Sequence, residues 1–275
     1  MSAGPDQVVA VLGAGKLGEA LMGGLLRAGR DRNRLLVTTR RAERAAELSA
    51  RHGVRSVSTA AAAAAAGVLL VAVKPQDMAA LLAELAPHVR AETHLVVSLA
   101  AGVPTGLLEA ALPAGTPVVR VMTNTPVLVD EAMSVLSAGA HADAAHLDLV
   151  EDLLRPVGRT MRVPESQQDA VTALSGSGPA YFFYLVEAMT DAGILLGLPR
   201  QVAADLLVQT ALGAAVMLRD TGEHPVRLRE AVTSPGGTTI AAVRKLEDHG
   251  VRAAMISALE AARDRARELA AGTGG

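Results

Sequence analysis

The sequence predicts an α/β domain over residues 1–163 followed by an all-α helical domain over residues 164–275. Three observations carry that division. Short apolar runs alternate with helical stretches as far as Val163, strand patterns stop after Pro164, and the first strand runs straight into a glycine-rich turn at the head of a helix.

Val8–Leu12 is apolar throughout, as a buried parallel strand requires. It feeds into Gly13-Ala14-Gly15-Lys16-Leu17-Gly18, after which a helix runs to about Ala28. Strand, G-x-G-x-x-G and helix in that order form the dinucleotide fingerprint, so the first domain is expected to be Rossmann-type. Gly13 is expected to make the tight turn, Gly15 to admit a pyrophosphate and Gly18 to let helix pack on strand. The segment from Leu12 through Ala14 and Lys16 to Leu17 and Gly18 is then candidate cofactor-binding backbone.

A second strand, Leu35–Thr38, ends in Thr39-Arg40-Arg41, where NAD enzymes usually carry an acid for the ribose 2′-hydroxyl. Guanidinium suits a phosphate instead, which points to NADPH, with NADH possible. Arg40 is the expected 2′-phosphate partner, assisted by Thr38 or Thr39. The alternative is that Arg40 and Arg41 merely open the next helix, which Arg44 and Glu47 then continue. The alanine tract Ala60–Ala66 reads as a short crossover helix. Further strands are Val68–Val73, stopped by Lys74-Pro75, then Leu95–Ser98, and Val118–Met122 before Thr123-Asn124-Thr125-Pro126. Ligands of such sheets lie at the carboxyl ends of the strands. Ala72, Val73, Lys74, Pro75, Leu99, Ala100, Ala101 and Asn124 are therefore candidates to line the nicotinamide side. The sheet is expected to continue through Ala132–Ser137 and Gly158–Val163, separated by a helix near 142–155.

Beyond Pro164 the expected helices cover about 166–174, 179–196, 200–218, 225–232, 238–246 and 252–269. Val232-Thr233-Ser234-Pro235-Gly236-Gly237-Thr238-Thr239-Ile240 stands out among their connections. It reads as a helix opening with hydroxyl caps at Thr233 and Ser234. Gly236 and Gly237 are poor helix formers but leave backbone N–H groups bare at the positive end of the helix dipole, a seat for a carboxylate or phosphate. Thr238 and Thr239 place hydroxyls beside it.

Composition narrows the function. With two Tyr, two Phe and no Trp, and a formal charge of −2, stacking or charge-driven binding to nucleic acid is not expected. The absence of Cys rules out disulfides, thiolate catalysis and Cys-ligated metal. His141 and His146 are poorly spaced for one helical face, so no metal site is expected. Met1–Asp6 lacks the basic and apolar regions of a signal peptide, and the apolar run Ala180–Leu198 is broken by Glu187 and Asp191. A cytoplasmic protein without a membrane span is expected. That run and Val202–Leu218 exceed what a domain of about a hundred residues covers by itself, which points to a homodimer.

The helical half also carries a resemblance. Ala173-Leu174-Ser175-Gly176-Ser177-Gly178-Pro179-Ala180-Tyr181, Asp191-Ala192-Gly193, Gly197-Leu198-Pro199, Gln209-Thr210 and Val232–Ile240 closely resemble the signature of pyrroline-5-carboxylate reductases. Gly13–Gly18, Ala72–Gln76 and Arg120–Met122 extend the resemblance over nearly the whole chain. One departure is Thr123, where the family usually has proline. The resemblance implies that NAD(P)H reduces the C=N bond of 1-pyrroline-5-carboxylate to give L-proline. By analogy, Thr239 is the catalytic hydrogen-bond partner of the imine nitrogen, and Glu165, Ser234, Gly236, Gly237, Thr238 and Thr239 bind substrate. It further implies homodimers, or multiples of them, whose active sites draw on both chains. Glu165 also fits a helix first-turn charge, and Ser175 and Ser177 a turn between packed helices. Two rivals are a β-hydroxyacid dehydrogenase, which typically uses a lysine in its helical half (here only Lys245), and a non-catalytic NADP(H) sensor.

Overall fold

The computed structural model describes residues 7–272, so the reading of Met1–Asp6 lies outside them. Two compact units emerge. One runs to Ser177 and takes in the chain again from Ala262, and the other is Gly178–Ala261.

The first unit is built on β1 (Val9–Leu12), α1 (Lys16–Arg27), β2 (Leu35–Thr38), α2 (Ala42–His52), β3 (Arg55–Ser56), α3 (Thr59–Ala65), β4 (Val68–Val71), α4 (Met78–Leu85), β5 (Leu95–Ser98), α5 (Thr105–Ala111), β6 (Val118–Met122), β7 (Ala132–Ala138), α6 (Ala144–Leu154), β8 (Gly158–Arg162) and α7 (Gln168–Val171). One eight-stranded sheet has the order β3-β2-β1-β4-β5-β6-β7-β8. Every pairing is parallel except β6 with β7. The order reverses between β1 and β4, which is where such sheets open a ligand crevice.

Period-two alternation shares the apolar strands between two faces. Val9, Val11, Val37, Leu70 and Val97 belong to one core, and Ala10, Leu12, Leu36, Leu69 and Val96 to the other. The alanine tract forms α3 as expected, capped by Ser58, and only Thr59, Ala62 and Ala63 are buried in it. Sequence reading missed β3, whose two residues leave no periodic signal.

The change of composition at Pro164 and the edge of the compact unit do not coincide, for a physical reason. Gln168 is fully buried, and its Nε2 donates to Val135 O at 3.1 Å and Ser137 Oγ at 2.8 Å. Those bonds tie the chain after Pro164 to β7, so it stays with the sheet as far as Ser177.

The second unit holds α8 (Gly178–Leu195), α9 (Arg200–Thr221), α10 (Pro225–Ala231) and α11 (Thr238–Asp248). α12 (Val251–Gly272) begins in it and ends in the first unit. α8 packs on α9 through small residues: a Cβ on Gly193 would lie 2.8 Å from that of Ala203. Little else is covered. Gly178, Thr190 and Ala203 are the buried residues of α8 and α9, while Phe182, Phe183, Tyr184, Leu195, Leu206 and Leu212 stand exposed. α9 is, among the described residues, the one helix long and apolar enough to cross a membrane.

At the end of β6, Thr123 and Ser134 are both buried, and their hydroxyls pair at 2.9 Å. Removing one partner strands the other, whereas removing both does not. Thr123→Val should cost about 1–2 kcal/mol. Thr123→Val with Ser134→Ala should cost less than the sum of the single changes, as denaturant melts of all three variants would read.

Candidate active site

Parallel pairing brings loops from distant parts of the chain to one edge. Leu12 is level with Thr38 and with Val71, and Val71 with Ser98. The ladder continues past the strands: Gly13 N donates to Thr38 O at 3.3 Å, Ala72 N to Leu12 O at 2.8 Å and Leu99 N to Val71 O at 2.9 Å. The glycine turn, Thr39-Arg40, Ala72–Pro75, Leu99–Ala101 and Asn124 therefore share the carboxyl edge. Within that set, the side chains of Leu12, Thr38, Leu99 and Ala100 are buried, so they shape the edge through backbone. Leu17 packs against the core beneath it. Gly15, Lys16, Arg40, Lys74 and Ala101 are exposed there.

The fingerprint glycines differ in what holds them. Gly13 has φ +103°, and a Cβ on it would lie 2.7 Å from Val73 Cγ1. A Cβ on Gly18 would collide with Gly13 O, so that helix and turn approach only with glycine there. Gly15 is the N-cap of α1, without a side-chain cap, and a Cβ on it would meet nothing within 4 Å. Glu19 N to Gly15 O, at 2.9 Å, is the first helical bond, so the N–H groups of Lys16, Leu17 and Gly18 precede it. Bare amides beside open space suit a pyrophosphate.

A cluster that sequence reading missed braces this turn. Arg44 Nε donates to Ala14 O at 3.1 Å, and its guanidinium pairs with Glu19 and with Glu47. Arg51 Nη1 donates to Glu19 Oε1 at 2.7 Å, and His52 Nε2 lies 3.0 Å from the same oxygen. Burial alone would raise the Glu19 carboxyl, but the bonds from His52, Arg44 and Arg51 outweigh it and bring it down to about 2. The available signal was an acid immediately after the fingerprint, Glu19, opposite a basic α2.

Arg40 Nη2 lies 3.0 Å from Asp77 Oδ1. Asn124 acts as a clip: its Nδ2 donates to Ser175 O at 3.2 Å and its Oδ1 accepts from Met133 N at 3.0 Å. Ser175 sits in a π-helical turn, Thr172–Gly176, a form common near functional sites. Glu165 has both oxygens engaged. Thr105 N donates to Oε1 at 2.7 Å, Thr105 Oγ1 to Oε2 at 2.6 Å, and buried Arg120 to Oε1 at 3.2 Å. Glu165 opens the 3₁₀ turn Glu165–Gln167, and its carboxylate also receives the N–H at the start of α5, whose own N-cap is Pro104. His146 completes the capping box of α6 with Asp143. Among the described residues no group of three or more His, Asp or Glu could hold a metal.

In the second unit, α11 opens at Thr238, later than caps at Thr233 and Ser234 would place it. Thr233 Oγ1 instead donates back to Arg229 O at 2.6 Å and finishes α10. Ser234 and Gly237 close a turn, Gly237 N to Ser234 O at 3.1 Å, through Gly236 at φ +67°. Gly237 is the N-cap and has no side-chain cap bond. Ala241 N to Gly237 O, at 3.3 Å, is the first helical bond, so the amides of Thr238, Thr239 and Ile240 have no helical acceptor. Ser234, Gly236 and Thr238 are exposed, and Gly237 and Thr239 half-buried.

The profile described as pyrroline-5-carboxylate reductase dimerisation matches residues 165–269, and that of NADP oxidoreductase, coenzyme F420-dependent, matches residues 8–102. A pyrroline-5-carboxylate reductase of Corynebacterium melassecola is 44% identical over 95% of this chain and 98% of its own. The chain belongs to the pyrroline-5-carboxylate reductase family. Pseudomonas aeruginosa has a family member 45% identical over 95% of this chain and 96% of its own. Among solved members, that of Coxiella burnetii superposes with a TM-score of 0.91 at 38% identity, covering 96% of this chain and 98% of its own. A Plasmodium falciparum pyrroline carboxylate reductase with NADP bound gives 0.86 at 25% identity, covering 97% and 99%.

The Glu19 cluster has a pH signature. Its folded carboxyl lies below the ordinary value of 4.5, so its stabilisation is complete above that value and is lost as pH falls toward about 2. Glu19→Gln should cost about 3 kcal/mol at neutral pH. The difference in melting temperature from the wild type should close between those limits.

Proposed function

We propose that this chain reduces 1-pyrroline-5-carboxylate to L-proline with NADPH. The observation that carries the reading is the uncapped start of α11, with bare amides at Thr238, Thr239 and Ile240 beside two threonine hydroxyls. Such a seat accepts a carboxylate as well as a phosphate, and the substrate has a carboxylate. A protonated cyclic imine is already an electrophile, so orientation and one hydrogen-bond partner suffice without a strong general acid. Thr239 Oγ1 is the proposed partner at nitrogen, with Ser234, Gly236, Gly237 and Thr238 framing the carboxylate. Glu165, engaged by Thr105 and Arg120, is better suited to positioning than to substrate contact.

The carboxyl edge suits a dinucleotide on its own geometry: bare amides at the head of α1, open space at Gly15 and a guanidinium at the end of β2. When bound, NADPH supplies the hydride that the imine carbon accepts. The amides of Lys16, Leu17 and Gly18 would hold its pyrophosphate, and Arg40, with Thr38 and Thr39 nearby, its 2′-phosphate. Ala72–Pro75, Leu99–Ala101 and Asn124 would bound the nicotinamide side. NADH remains a usable alternative. The dehydrogenase rival has little support, since Lys245 is three-quarters exposed and faces Asp248 at 3.5 Å on its own helix.

We also propose a homodimer, or a multiple of it, formed through α8 and α9. Their exposed Phe182, Leu206 and Leu212 give the second unit almost no core of its own, and a second copy would cover them. The same burial accounts for the apolar length of α9 without a membrane, and the cytoplasm is the proposed compartment.

Adding 1-pyrroline-5-carboxylate to the NADPH-loaded protein should consume nicotinamide absorbance, and a binding-only sensor would leave it unchanged. A Cβ at Gly237 would strike Ser234 Oγ, so Thr239→Val is the cleaner probe of the loop. It should lower turnover by about tenfold or more with a smaller change in KM, and unchanged turnover would assign Thr239 to helix geometry alone. Leu206→Glu should shift the protein toward monomer in light scattering, and an intact dimer would place the interface elsewhere.

A further inference from the structure

Arg40 and Asp77 belong to different loops. Arg40 follows β2, and Asp77 ends the 3₁₀ turn Pro75–Asp77 that follows β4. β2 and β4 flank β1 on either side, and β1 carries the glycine turn. The ion pair, 3.0 Å between Arg40 Nη2 and Asp77 Oδ1, therefore crosses the mouth of the crevice beside that turn. The Arg40 side chain is 82% exposed and that of Asp77 29%, so the pair adds little to stability. Its importance lies in what both groups would meet.

The two ends differ in freedom. Asp77 is fixed by a turn that starts with Pro75, and its N–H donates to Lys74 O at 2.9 Å. Among the described residues, Arg40 is held at its tip by Asp77 alone. A guanidinium has donors for two anions, but the two anions repel each other. A 2′-phosphate carries nearly two negative charges, so it meets an occupied cation and a fixed carboxylate nearby. A 2′-hydroxyl meets the opposite situation, because a carboxylate is the acceptor it needs. Dinucleotide-binding proteins that read this hydroxyl carry the acid at the end of the second strand. Here arginine stands there, and an acid arrives from the loop after β4.

We propose that Asp77 sets cofactor specificity: its carboxylate competes with the 2′-phosphate for Arg40 and serves as acceptor for the 2′-hydroxyl. It thereby weakens NADPH binding and keeps NADH usable. This rests on the reading of Arg40 as the 2′-phosphate partner.

The test titrates the full-length protein with NADPH and with NADH, following fluorescence of the reduced nicotinamide with no substrate present. It is thus independent of which imine the enzyme reduces. Asp77→Asn keeps the shape and removes the charge. It should tighten NADPH and weaken NADH, moving the ratio of the two dissociation constants by about tenfold toward NADPH. Asp77→Glu restores a carboxylate and should return the ratio most of the way to wild type. A role in loop geometry alone would move both affinities together. An unchanged ratio in Asp77→Asn, or the same shift in Asp77→Glu, overturns the proposal. Arg40→Ala separates the two layers. If it lowers the NADPH preference while Asp77→Asn leaves the ratio alone, only the role of Asp77 falls. If Arg40→Ala leaves the ratio alone, both readings fall.

Discussion

The backbone ladder joining the ends of β2, β1, β4 and β5 is the constraint on which the first unit depends. Leu12, Thr38, Val71 and Ser98 end level, and bonds from Gly13, Ala72 and Leu99 carry the pairing one step past each strand. Each following loop therefore leaves the sheet at the same height. A slip of one residue in any pair would exchange the side chains that the two cores are packed around and lower one wall of the crevice. The shared edge is thus secured by the same burial that secures the core, since the strands are apolar on both faces. Arg44 adds a brace from α2, holding the Ala14 carbonyl so that the amides at the head of α1 keep their direction.

Much of this was legible in the residues. Strands such as Leu35–Thr38 and Leu95–Ser98 are apolar runs with clear stops, Val118–Met122 is one broken only by Arg120, and the structure begins and ends them where those stops fall. The fingerprint glycines have the turn, the open space and the close approach that their spacing implies. What stayed hidden was long-range and polar. Thr105 and Glu165 meet across 60 positions, and no local pattern pairs them. Arg44 and Glu47 look like an ordinary helix pair until α1 is packed beside them. Thr233 shows a different limit. A threonine between two helices can finish one or begin the next, and the distance to Arg229 O decides it.

Thr123 illustrates how a departure from the family's usual residue is absorbed locally. A hydroxyl at that buried position needs a partner, and Ser134 on the neighbouring strand supplies it. Asn124, one residue on, meanwhile binds Met133 N and the Ser175 turn. The loop after β6 is fixed from two sides, so its course does not require a proline at position 123.

The scarcity of rings has an optical consequence. All four aromatic residues of the chain are consecutive, Tyr181-Phe182-Phe183-Tyr184, within one turn of α8. The near-ultraviolet spectrum of the protein is accordingly the spectrum of a single site, and it lies among the exposed apolar residues of the second unit. Tyrosine emission and near-ultraviolet dichroism watch that helix alone. With no indole to absorb or transfer energy, the light of a reduced nicotinamide is left to report the other unit, and the two halves can be followed separately in one cuvette.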